Sequence, residues 1–150
     1  MAYRHNQTVE IIGKQEPYLG SYYPATLLAA IGKTGYLVRY QTRFTDDKSR
    51  LLVESLHAAD IRPVPPEIQT PDIAAGDRVE VCANGGWWVG RIVKKVDPVY
   101  YVRLDSDGSE MRCPLYRVRK HLEWEDGKWV CSGIRNGPQN FEAKGAEEKA

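Results

Sequence analysis

Gly20-Ser21-Tyr22-Tyr23-Pro24-Ala25-Thr26-Leu27-Leu28 has a counterpart further along the chain in Gly85-Gly86-Trp87-Trp88-Val89-Gly90-Arg91-Ile92-Val93. In both, a glycine turn leads into two aromatics and then a run of small and apolar residues. The match extends outward in both directions. Ahead of it, Thr8-Val9-Glu10-Ile11-Ile12 aligns with Arg78-Val79-Glu80-Val81-Cys82. Behind it, Tyr36-Leu37-Val38-Arg39-Tyr40 aligns with Tyr100-Tyr101-Val102-Arg103-Leu104. Three matches in one order read as an internal duplication.

Each copy has the period of β-structure. In the first, β-branched or alternating runs predict strands over Thr8–Ile12, Tyr22–Ile31, Tyr36–Tyr40, Leu51–Glu54 and Ala59–Arg62, with a tight turn at Gly32–Gly35 and a polar loop over Arg43–Arg50. In the second they predict Asp77–Cys82, Trp87–Val96, Tyr100–Leu104, Glu110–Cys113 and Tyr116–Arg119. No stretch carries a sustained helical stripe, although Glu54–Asp60 is compatible with one helical turn. A five-strand unit is too small for a sandwich and hides its edges by curling into a barrel. The expected fold is therefore all-β: two small five-stranded barrels in tandem. Arg62-Pro63-Val64-Pro65-Pro66 breaks the first unit, because proline removes ladder donors and stiffens the chain. The expected division is residues 5–66, a linker at 67–75, and residues 76–131. His121–Val130, with Asp126-Gly127 between Trp124 and Trp129, predicts a C-terminal hairpin, and the composition of 132–150 predicts a disordered tail.

Composition narrows the function. At 42% hydrophobic and 27% charged residues, the chain is neither wholly disordered nor fibrous. Its apolar runs are shorter than the roughly 20 residues of a membrane span, and its N-terminus lacks a signal-peptide core. A soluble intracellular protein with no membrane partner is expected. Cys82, Cys113 and Cys131 are odd in number and lack metal-ligand spacing, so neither a disulfide framework nor a metal site is expected. There is no glycine-rich phosphate loop, and His5, His57 and His121 have no nucleophile at a known spacing. The sequence therefore predicts no catalysis, no catalytic residues and no cofactor. Tyr 9 and Trp 4 against Phe 2 favour half-wet recognition surfaces. A net charge of +1 gives nucleic-acid binding no support in bulk.

The motifs resemble a known family. Val9-Glu10-Ile11, Gly20–Thr26 and Ile61–Pro66 resemble a first Agenet domain; Gly76–Val81, Gly86–Gly90 and His121–Val130 resemble a second. The tandem is similar to those of plant Agenet heterochromatin readers and, more distantly, to the N-terminal tandem of fragile X proteins. The resemblance implies Tudor-like barrels in a nuclear chromatin protein that reads methylated lysine on a histone tail, with dimethylated lysine 9 of histone H3 foremost. A monomeric tandem module of a larger protein is expected, because the boundaries are abrupt and no localisation signal is visible.

A methylammonium is held by aromatic faces, and a rim carboxylate adds attraction. Tyr18, Tyr22, Tyr23, Tyr40 and Phe44 fall at strand ends and loops expected to meet at one mouth of the first barrel, with Asp46 and Asp47 nearby. Alternation along the strand sets Tyr23 with Ala25 and Leu27 on the core face, so Tyr18, Tyr23 and Tyr40 are favoured as cage walls, and Tyr22 stays open as an alternative. The second repeat has Trp88 in place of Tyr23 but Leu104 in place of Tyr40. Its expected role is to support a shared peptide groove, faced by Glu10 of the first repeat and by Trp88, Asp105, Asp107 and Glu110 of the second. Two alternatives stand beside this reading. One is RNA binding through a basic stripe of Arg117–His121 with Lys94-Lys95, and the other is a protein-interaction module indifferent to methylation.

Overall fold

The structure, a computed structural model, describes residues 3–67 and 72–131; the tail expected at 132–150 lies outside them. Every described element is a strand or a single 3-10 turn. Among the described residues no helix is long and apolar enough to cross a membrane. The chain forms two compact units.

The first unit contains β1 (Thr8–Ile12), β2 (Ser21–Ile31), β3 (Gly35–Phe44), β4 (Leu51–His57) and β5 (Ile61–Pro63). They pair antiparallel in the order β5-β1-β2-β3-β4. Among the described residues no ladder joins β4 to β5. A 3-10 turn at Ala58–Asp60 carries the chain between them, its first turn capped by the His57 ring accepting from the Ala59 N–H. The strand expected at Ala59–Arg62 is thus half turn and half strand. Inward alternation buries Val9, Ile11, Ala25, Leu27, Val38 and Ile61. The segment Asn84–Trp87 groups with this unit.

The second unit repeats the plan with β6 (Arg78–Ala83), β7 (Gly86–Val96), β8 (Val99–Leu104), β9 (Glu110–Pro114) and β10 (Val118–Lys120), in the order β10-β6-β7-β8-β9. Again a 3-10 turn, Leu115–Arg117, precedes the last strand. Its core is Ile73, Val79, Val81, Ile92, Tyr100, Val102, Cys113 and Val118. Ile73, expected in the linker, is therefore a core residue. The final hairpin is β11 (Leu122–Glu125) and β12 (Lys128–Cys131), with Asp126 and Gly127 both at positive φ in the turn. That conformation suits the twist of a two-residue hairpin loop.

Register confirms that the two copies are one design. Leu27 faces Val38 and Ile92 faces Val102, the pairs that align in sequence. Both ladders then slip at the same place, between Leu27 and Ala29 and between Ile92 and Lys94. Each unit also carries an ion pair at the same register, fully buried in the first and with a part-exposed arginine in the second. Glu10 faces Arg62 across β1 and β5, and Glu80 faces Arg119 across β6 and β10. The guanidinium Nη2 lies 2.7 Å from the carboxylate in both.

Candidate binding site in the first unit

A cavity of about 350 Å³ opens beside β1 and β3 of the first unit. Tyr18, Tyr40, Arg43, Glu54, Leu56 and Asp60 line it, together with the β1–β2 loop through Gly13, Lys14 and Glu16. Local hydrogen bonds set the position of Tyr18. Its N–H donates to Gln15 O at 2.9 Å, and its carbonyl accepts both the N–H and the hydroxyl of Ser21, at 2.9 and 2.6 Å. Gly13 closes the loop, donating to Ser21 O and accepting from the Gly20 N–H. A side chain at Gly13 would overlap the Tyr18 carbonyl, so glycine there lets the loop fold tightly enough to bring the ring in.

Tyr40 enters from β3, opposite Ala25, whose small side chain leaves room for the ring. Its hydroxyl donates to Glu54 Oε1 at 2.8 Å. Burial, that hydrogen bond and the Glu54 charge push the Tyr40 phenol well above its usual range, so it stays a neutral donor. Tyr23 stands behind Tyr18, edge to face at 5.2 Å between centroids, with its hydroxyl on Asn84 O at 3.0 Å. Gly86 abuts this ring so closely that a Cβ there would overlap it.

The Arg43 guanidinium sits among these rings. Its Cζ is 3.8 Å from the Tyr18 centroid, 4.6 Å from Tyr40 and 6.0 Å from Tyr23. Three carboxylates line the cavity (Glu16, Glu54 and Asp60) against two cations, Lys14 and Arg43. Asp60 is shared with Lys14 Nζ at 3.2 Å. Ring faces that already hold an organic cation, in a slightly acidic surround, make a site chemically suited to cationic side chains.

Comparison with known proteins agrees with this architecture. The family model described as Agenet domain matches residues 6–66 and again 76–123. The chain belongs to the Agenet domain family. The Arabidopsis thaliana protein AGENET DOMAIN (AGD)-CONTAINING P1 is 31% identical over 124 residues, covering 81% of this chain and 24% of the relative. The Arabidopsis thaliana DUF724 domain-containing protein 6 is 30% identical over 138 residues, covering 88% of this chain and 20% of the relative. The chain thus spans about a quarter or less of these relatives. The crystal structure of Arabidopsis thaliana AGDP1 AGD34 superposes with a TM-score of 0.80 at 27% identity, over 85% of this chain and 88% of that one. Agenet domains are Tudor-like binding modules.

In the first Agenet repeat, Tyr18 and Tyr40 line the cavity on either side of the Arg43 guanidinium and Tyr23 packs behind Tyr18 without lining it, whereas other residues expected at the site are placed differently. Tyr22 is buried on the far side of its strand, under the Arg62 guanidinium at 3.4 Å. Phe44 is 52% exposed and does not line the cavity. Asp46 is exposed in the β3–β4 loop. Asp47 is turned into that loop, accepting from Thr45 and from the hydroxyl and N–H of Ser49, which hold its carboxyl down to about 2. The acids at the cavity are instead Glu54 and Asp60, from β4 and the turn after it. Glu10, expected to face a peptide groove, is 2% exposed and held by Arg62.

The candidates of the second Agenet repeat are engaged within their own unit. The Trp88 indole donates to Ala83 O at 3.0 Å, Asp105 pairs with Arg78 at 3.0 Å and Glu110 with Arg103 at 3.5 Å. Asp107 accepts from Ser109, which lowers its carboxyl. Within the basic stripe expected at Arg117–His121, Arg117 donates to Cys82 O at 3.2 Å, and two members are drawn onto acids. Arg119 and His121 both contact Glu80, at 2.7 Å each, and His121 also reaches Glu123 at 2.6 Å. Among the described residues no group of three or more His, Cys, Asp or Glu is arranged to hold a metal ion.

Arg43, Glu54 and Asp60 were not singled out from sequence. Local sequence carried no signal for Glu54, because its place opposite Val38 is set by the β3–β4 register.

Proposed function

We propose that this tandem Agenet module is a chromatin reader without catalytic activity, binding a methylated lysine of a histone H3 tail in the aromatic site of its first repeat. Dimethylated lysine 9 is the first choice, and the nucleus of a plant cell is the setting. The observation that carries the reading is the seating of a guanidinium against Tyr18 and Tyr40, with Tyr23 behind. Methylated ammonium is bulky, poorly hydrated and cationic, and aromatic faces favour that combination. Glu54 and Asp60 supply the carboxylates that a dimethylammonium N–H or a neighbouring basic side chain would use. The proposal rests on the first repeat alone, because the second repeat's candidate side chains are already engaged.

The test is a calorimetric titration against H3 peptides unmodified, mono-, di- and trimethylated at lysine 9. A preference for a methylated form is expected, and it should weaken about 5- to 30-fold in Tyr18→Ala, as one well-placed ring implies. Equal affinity for all four peptides would reject the reading in favour of a methylation-independent protein module. Binding that falls steeply with salt and ignores methylation would turn it toward RNA.

A further inference from the structure

Arg43 does not sit where simple alternation would send it. It lies three residues beyond Tyr40 on β3, and in a regular strand the two would point to opposite faces. The β3–β4 ladder shifts register between Arg39 and Phe44, and this irregularity lets Arg43 turn back onto the Tyr40 side. Its Cζ then lies 3.8 Å above Tyr18 and 4.6 Å from Tyr40. Tyr40 and Tyr23 are 2% and 3% exposed, while Tyr18 under the guanidinium stays half-buried. Yet among the described residues the guanidinium makes no hydrogen bond or ion pair; ring faces are all that hold it.

From this we infer that Arg43 is the resident occupant of the aromatic site, an internal cation that any ligand cation must displace. The inference rests on the reading of that site as a binding site and identifies what controls its affinity. A guanidinium held only by ring faces leaves at modest cost, because its donors gain water when it goes. Its departure uncovers Tyr18 and Tyr40 and leaves Glu16, Glu54 and Asp60 opposed by Lys14 alone at the cavity, so the emptied seat attracts another cation. A methylated ammonium gains from the rings and loses little hydration. An unmodified ammonium is strongly hydrated and gains less, so competition with Arg43 keeps it below useful affinity. The apparent affinity of every ligand is reduced by the fraction of molecules in which Arg43 is seated.

The experiment has two arms. In the first, the Arg43 side-chain protons are assigned by NMR in the wild-type protein without ligand. Ring-current shifts away from ordinary arginine values are expected, and they should relax as tetramethylammonium chloride, a bare methylated cation, is added. In the second, wild type and Arg43→Gln are titrated with tetramethylammonium and with unmodified and dimethylated H3 peptides. The variant is expected to bind the methylated cations about three- to tenfold tighter. Unshifted Arg43 protons in the free protein, or weaker or equal binding by a folded Arg43→Gln, would overturn the inference. A wild type that binds tetramethylammonium with release of Arg43 but ignores every histone peptide would leave the inference standing and refute the histone reading. Should Arg43→Gln fail to fold, the wild-type shifts and their response to the cation still decide.

Discussion

Replacing Gly13 by alanine would set a methyl group against the Tyr18 carbonyl, its carbon only 2.6 Å away. Neither partner is a flexible side-chain end, and the carbonyl oxygen is nearer still, so the β1–β2 loop itself has to open, by roughly 1.5 Å to restore a normal contact. That opening strains the two hydrogen bonds from Ser21 to the Tyr18 carbonyl and the two linking Gly13 to Ser21 and Gly20. Overpacking of this kind typically costs about 1–3 kcal/mol, and losing one or two of the bonds falls in the same range at roughly 1 kcal/mol each. The expected result is a stability loss of about 1–3 kcal/mol in urea unfolding, with the first unit's melting temperature lower by about 5–15 °C. Tyr18 moves with the loop, so affinity for the methylated peptide should fall about 5- to 30-fold as well, as in Tyr18→Ala. The two variants separate the effects: Tyr18→Ala removes a half-buried ring and should cost mainly affinity, whereas Gly13→Ala should cost both. Wild-type stability and affinity in Gly13→Ala would refute the account of how the loop positions Tyr18.

Three further outcomes follow from other contacts. Tyr40→Phe keeps the ring but removes the donor to Glu54, so it should lower stability by about 0.5–1.5 kcal/mol in chemical unfolding while leaving the site's aromatic face in place. Glu10→Gln breaks a pair whose side chains are 3% and 1% exposed. It should destabilise the first unit by about 3–5 kcal/mol without changing the affinity of the molecules that remain folded, and a specific loss of affinity would instead return Glu10 to the peptide site. Burial opposes the charge on His121, but hydrogen bonds to Glu123 and Glu80 and their charges outweigh it and raise its pKa. A raised folded-state pKa means that this contribution is full below about pH 6.5, the unfolded value, and is lost as pH rises through the folded one. Melting temperature should therefore fall with rising pH above that point in wild type more than in His121→Gln; parallel curves would show that His121 is not the group responsible.

Much of the fold was legible because strand period and turn chemistry are local. The alignment of Gly20–Leu28 with Gly85–Val93 anticipated the matched ladders, though not their common slip, and Asp126-Gly127 anticipated the hairpin. Alternation along β2 puts Tyr22 and Tyr23 on opposite faces: Tyr23 lies with Tyr18, and Tyr22 lies under Arg62. The expectation that acids follow the aromatics along the chain did not transfer. Asp46 and Asp47 are next to Phe44 in sequence, but Thr45 and Ser49 close a local turn around Asp47 and keep it there.

The sequence by itself determined that the chain is two copies of one β-unit, and it set Tyr18, Tyr23 and Tyr40 at strand ends and a loop of the first copy. Both properties are carried by periods of a few residues and by glycine turns, which a chain cannot hide. Tertiary structure alone decided which charges meet those rings. Glu54 reaches Tyr40 because β4 pairs with β3 in one register, and Arg62 claims Glu10 because β5 returns beside β1. Arg43 turns inward because that same β3–β4 ladder slips. Each of these depends on how distant strands align, and a shift of one residue would send every side chain to the other face.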